Sequence, residues 1–91
     1  MSLTTVATEA EIWERAIQPG EGNLPSPTAR ALMELKLAPE DISRINLLSQ
    51  RAQEGSLSEL EERELDSYLS VGRAIELLKA KARNSLGASP D

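Results

Sequence analysis

Ninety-one residues, with 10 Lys and Arg against 15 Asp and Glu for a net charge of -5, allow one domain with a modest core. That charge argues against generic binding to nucleic acid or to an anionic membrane and favours solubility or a basic partner. With no Cys and no His the chain has no disulfide, thiolate nucleophile, Cys/His zinc site or imidazole acid or base, and with no Phe, one Trp and one Tyr its core must be aliphatic.

Residues 1–7 lack periodicity and are expected to fray. Thr8 followed three residues later by Glu11 has the capping-box spacing, and Ile12, Trp13, Ala16 and Ile17 then predict a short amphipathic helix. Pro19-Gly20 stops it, and Leu24 is expected to plug into the core from the following loop. Ser26 as N-cap and Pro27 at the first helical position open a second helix. Its buried face is Ala29, Leu32, Met33 and Leu35, and it ends near Leu37 or Ala38, because the residue before Pro39 is pushed away from helical dihedrals. Pro39-Glu40-Asp41 starts a third helix with two carboxylates at the positive end of the macrodipole. Ile42, Ile45, Leu48, Ser49 and Ala52 form its stripe, Leu47 falls off it, and Gly55 is the expected C-terminal cap.

Ser58 with Glu61 forms another capping box, and a long helix from Glu59 to Leu86, closed by Gly87, follows. At ~100° per residue, Leu60, Leu65, Tyr68, Leu69, Val71, Gly72, Ile75, Leu78, Ala82 and Leu86 fall on one broad apolar arc. Such a helix would run ~42 Å, against a diameter of roughly 30 Å for a globule of this length, so it must overhang, bend or meet a second copy. Gly72 on the apolar arc points to a close helix crossing, with a kink as the alternative. The expected architecture is all-α: a small four-helix domain over residues 8–87, with three short helices packed on one long C-terminal helix and a frayed end at 88–91. No strand is expected, and the short links favour packing between sequence neighbours.

No nucleophile-plus-base pair, glycine-rich phosphate loop or catalytic carboxylate spacing stands out, so neither catalysis nor a cofactor is expected. The acids of the long helix, Glu59, Glu62 and Asp66 above all, suit docking onto a basic partner, although dipole complementation at a helix start explains many of them. They lack the alternating oxygen ligands of a calcium loop. Lys79, Lys81 and Arg83 could touch phosphates, but they too complement the dipole, and no aromatic residues interleave them. A helix-turn-helix across Ala38-Pro39 would offer only Arg44 and Arg51 to a major groove. Trp13, Tyr68, Gly72 and Ile75 are the candidates for contact with a partner or with a second copy. No signal peptide or membrane span is expected, which leaves a cytoplasmic location as the default.

The segments Ile12-Trp13-Glu14-Arg15, Leu24-Pro25, Ala29-Arg30, Gly55-Ser56-Leu57-Ser58, Glu64-Leu65-Asp66, Tyr68, Val71-Gly72 and Lys81-Ala82-Arg83 together resemble a set of small uncharacterised bacterial all-helical proteins. The resemblance spans about residues 12–83, and its motifs are mostly helix boundaries and stripes. It departs at Ala38-Pro39, where an aromatic residue is expected and where the core would be thinner. The resemblance implies a reading frame beside an HNH-type endonuclease and hence an antitoxin-like or regulatory partner; it supplies no catalytic residues. The resulting expectation is a non-enzymatic, acidic, helical interaction protein that binds another protein, such as a basic nuclease. The alternatives are a nucleic-acid-binding module at the basic end of the long helix and a self-associating homodimer.

Overall fold

The structure, a computed structural model, describes residues 6–88. Its helices are α1 (Glu9–Ile17), α2 (Ser26–Met33), α3 (Pro39–Gln53) and α4 (Glu59–Ala88), with no strand among the described residues. The fold is all-α, and the long C-terminal helix packs against the three shorter ones. The chain divides into two compact units, one holding Lys36–Arg73 and the other the segment up to Leu35 together with Ala74 onward. Each unit therefore takes one part of α4. Residues 1–5 and 89–91, where fraying is expected, lie outside the described residues.

Local chemistry sets most helix ends. The Thr8 hydroxyl accepts from the Glu11 N–H at 3.1 Å while Glu11 Oε1 accepts from the Thr8 N–H at 3.0 Å. Ser58 and Glu61 repeat this reciprocal pair at 3.1 Å in both directions. A capping side chain of this kind is worth about 1 kcal/mol. At the end of α3, Gly55 adopts φ +70°, its N–H donates to the Ala52 carbonyl at 3.1 Å, and the Ser56 N–H donates to the Arg51 carbonyl at 2.9 Å. This is the Schellman arrangement expected of a glycine just past a helix end.

Three boundaries differ from expectation. Pro25, not Ser26, precedes the first helical residue of α2, and no side chain caps it; Ser26 and Pro27 are both helical. The same helix stops at Met33, well before Pro39, with the Glu34 N–H turning back to the Ala31 carbonyl at 3.1 Å. Leu35, expected on the buried face, is consequently exposed. Gly87 does not close α4, which continues helically to Ala88; Gly87 is not among the residues at positive φ.

In the unit formed by α1, α2 and the C-terminal part of α4, the buried side chains are Ile17, Ala29, Ala74, Ala82 and Ser85. They are mostly small, which lets backbones come close. The loop after α1 lies against α4 so tightly that a Cβ on Gly22 would sit 2.6 Å from the Asn84 carbonyl oxygen. Three side chains from one stretch of α4 hold this loop. Lys81 Nζ donates to the Ile17 carbonyl at 2.7 Å, Asn84 Nδ2 to the Pro19 carbonyl at 2.6 Å, and the Leu24 N–H donates to Ser85 Oγ at 3.1 Å. Lys81 thus places an ammonium at the negative end of the α1 dipole, where the last carbonyls have no partner within the helix. The hydroxyl of Ser85 donates in turn to the Lys81 carbonyl at 2.8 Å, so this buried oxygen is satisfied as donor and acceptor.

The amphipathic face expected for α1 is not buried as a whole. Ile17 is inside, whereas Ile12, Trp13 and Ala16 are exposed. The Trp13 indole N–H donates to Glu9 Oε2 one turn earlier, at 3.3 Å. A helix of nine residues held through its C-terminal end and the adjoining loop leaves its first turns in water.

The other unit is an antiparallel pair, α3 with the first part of α4. Leu48 is its one fully buried large side chain, at 0% exposure. The expected stripe is partly corrected, since Ile42 and Ala52 are exposed while Ile45 and Ser49 are half-buried; Leu47 lies outside, as its position off the stripe requires.

Candidate interaction surface on the α3–α4 pair

Three cross-helix contacts fix the register of the pair. Arg51 Nη1 pairs with Glu61 Oε2. Next, Arg44 grips Glu64 with two donors, Nε to Oε2 at 2.8 Å and Nη2 to Oε1 at 2.7 Å. Finally, the Tyr68 hydroxyl donates to Asp41 Oδ1 at 2.7 Å. A two-pronged guanidinium–carboxylate contact is geometrically selective, though at this exposure it adds little net stability. Arg44, the first cause, holds the Glu64 carboxyl below its ordinary value. Glu61 is likewise lowered, first by the Ser58 N–H and then by Arg51.

These contacts sort the acids of α4 into two groups. Glu61 and Glu64 face α3 and are half-buried, whereas Glu59, Glu62 and Asp66 are exposed and neither ion pair uses them. The three exposed acids are the ones expected to dock a partner, and at successive spacings of three and four they share one side of the helix.

The same helix leaves large apolar side chains in water. Leu60 is 74% exposed, Leu69 60% and Val71 50%, and Ile42 on α3 is 48% exposed. The apolar arc expected for α4 is thus realised in part: Leu65, Tyr68, Gly72, Ile75, Leu78, Ala82 and Leu86 are buried or half-buried, and Leu60, Leu69 and Val71 are not. In its first part the inward line is Glu61, Glu64, Leu65 and Tyr68; farther on Ala82 lies on that line, while Ala74 and Ser85 are buried off it. Leu60, Leu69 and Val71 belong to the arc on a helical wheel but miss the strip that α3 covers.

Gly72 requires a correction as well. A Cβ there would meet nothing within 4 Å, so among the described residues no helix crosses closely at that point, and α4 runs through it without interruption. Tyr68 does contact α3, through Asp41. Ile75 is half-buried and, like the exposed Trp13, belongs to the other unit. Of the cations considered for phosphate, Lys81 is engaged by the Ile17 carbonyl, Lys79 is half-buried and Arg83 is exposed.

A groove of about 350 Å³ opens on the α3–α4 pair, lined by Leu37, Asp41, Glu64, Ser67, Tyr68 and Val71. The sequence hid it, because Leu37 lies in the link before α3 and only the register of the pair brings it opposite Val71. Among the described residues no group of three or more acids could hold a metal ion, and no helix is long and apolar enough to cross a membrane.

The Tyr68–Asp41 contact has a direct spectroscopic readout, since Tyr68 is the chain's one tyrosine. Its hydroxyl is pushed above the ordinary 10.0, first because it donates to Asp41 and further by partial burial and the nearby negative charge. A raised folded value means that this contact stabilises the fold below the unfolded pKa and is lost as pH rises through the folded one. Tyrosinate absorbance at alkaline pH should therefore have its midpoint above 10.0 and move down in Asp41→Asn. An unshifted midpoint in the native chain would show that the hydrogen bond does not persist in solution.

Compared with family models, with curated proteins and with solved structures, the chain has no match in any of the three.

Proposed function

We propose that the chain is a non-enzymatic protein-interaction module that binds a basic protein through the α3–α4 pair. The observation that supports this reading is the juxtaposition, on one two-helix unit, of exposed Ile42, Leu60, Leu69 and Val71 with the exposed carboxylates Glu59, Glu62 and Asp66. Apolar area contributes affinity, and a mainly acidic edge, interrupted by exposed Arg63, steers an oppositely charged partner. A nuclease fits this description, because a cleft that binds a polyanion is itself basic. An acidic module seated there would compete with nucleic acid, an antitoxin-like or regulatory role.

Co-purification with the product of the adjacent gene, followed by a nucleic-acid cleavage assay, tests the reading. A complex that dissociates as salt rises and that suppresses cleavage is expected. The triple variant Glu59→Gln, Glu62→Gln, Asp66→Asn should weaken it by tenfold or more at low salt, about 1.4 kcal/mol. No complex at low salt, or a complex indifferent to the triple variant, would overturn it. Sedimentation of the chain alone gives its mass. A dimer there would favour the second reading, self-association, for which exposed Ile12 and Trp13 on α1 are the supporting feature.

A further inference from the structure

We infer that the groove between Leu37 and Val71 receives one lysine or arginine side chain of the basic partner, its aliphatic stem on the two apolar walls and its cationic head at Asp41. This deepens the proposed function and rests on it.

Four observations carry the inference. The groove has an apolar wall on each side, Leu37 from the link before α3 and Val71 from α4, with the Tyr68 ring between helices and Val71 half in solvent. Its polar groups are acceptors or hydroxyls, Asp41, Glu64, Ser67 and Tyr68, with no cation among the lining residues. The two carboxylates are not equivalent. Glu64 has both oxygens engaged by Arg44, which neutralises it. Asp41 accepts from a neutral phenol through Oδ1 alone, so its charge is uncompensated by that contact, and an ionised carboxylate has acceptor sites to spare. Finally, about 350 Å³, at the small end of the range for ligand pockets, admits one long side chain and is too small for a helix.

Lysine and arginine combine the required features, since they bury their methylene stems along apolar surface while the charged end keeps a polar partner. An apolar residue would leave Asp41 unanswered, and an acidic one would be repelled by it. A well-packed anchor of this sort, inside a border of weaker contacts, is where interface energy concentrates. The exposed acids of α4 then act at longer range, steering the partner, while Asp41 acts at contact.

The test is an amide-resolved NMR titration of the full chain with a synthetic amphipathic helical peptide of leucine and lysine at low salt. Shifts centred on Leu37, Ser67, Tyr68 and Val71 are expected. Asp41→Asn keeps an acceptor for the Tyr68 hydroxyl while deleting the charge, and it should weaken binding about fivefold to tenfold. Val71→Lys, at a half-exposed site, sets a like charge on the apolar wall and should abolish the shifts at the groove. Replacing each peptide lysine with glutamine should remove binding. If Asp41→Asn and Val71→Lys bind like the native chain while the Glu59, Glu62, Asp66 triple variant is weakened, the groove proposal is overturned and the interaction module stands. If the peptide binds none of the proteins, both fall.

Discussion

Replacing Leu48 with alanine is expected to cost about 2–5 kcal/mol, the range for truncating a fully buried leucine whose surroundings collapse only in part. Leu48 is the largest side chain with no exposed surface, and the α3–α4 pair has no second one of that kind to share the load. Small domains hold about 5–15 kcal/mol in total, and one of this length lies toward the lower end. The variant should therefore lose a large share of its helical circular dichroism at urea concentrations that leave the native chain folded. Leu47→Ala, one residue away but off the buried stripe, should stay within about 0.5 kcal/mol of native. Equal unfolding midpoints for the two variants would contradict the packing described for α3.

Glycine-to-alanine changes should separate by sign. At Gly22 the new Cβ would lie 2.6 Å from the Asn84 oxygen, 2.7 Å from its carbonyl carbon and 3.0 Å from the Ser85 nitrogen, all backbone of α4. None of these atoms can rotate away, so the loop must retreat and loosen its contacts with Lys81, Asn84 and Ser85. Overpacking of this sort costs about 1–3 kcal/mol, with roughly 1 more for each hydrogen bond lost. Gly72→Ala should do the reverse. It sits mid-helix with nothing within 4 Å of where the alanine methyl would stand, and alanine there is favoured by up to about 1 kcal/mol. Thermal melts of the two single variants decide the matter: a stabilised Gly22→Ala would mean that the loop does not lie on α4.

Signals confined to a few neighbouring residues were legible in the sequence. Thr8 with Glu11, Ser58 with Glu61, Pro39 and Gly55 all mark helix ends by chemistry that acts within one turn, and all four do so in the structure. The importance of Gly22 was not legible, because its requirement for a bare Cα comes from a carbonyl far along the chain. Gly72 misled for the related reason that a glycine on an apolar arc looks the same whether or not a second helix arrives. The broad arc of α4 was legible at its centre, where Leu65, Tyr68, Ile75, Ala82 and Leu86 turn inward, but it was drawn too wide, since Leu60, Leu69 and Val71 stay in water. Ser85 escaped notice because periodicity counts apolar residues, whereas this buried position is polar and fully hydrogen-bonded. Within the candidate surface, the acids Glu59, Glu62 and Asp66 could be named from the sequence. Their separation from Glu61 and Glu64 needed the two arginines of α3, and the groove needed the register.

The contacts that hold the loop after α1 join residues 61 to 65 positions apart, whereas those across the α3–α4 pair join residues 10 to 27 apart. The second set closes short loops, and the first set closes long ones that bring the loop after α1 to Lys81, Asn84 and Ser85. The longer closures also carry the larger entropic cost, although it grows only logarithmically with separation. The hairpin that presents the acidic edge thus closes at a smaller entropic cost than the docking of the amino-terminal helices.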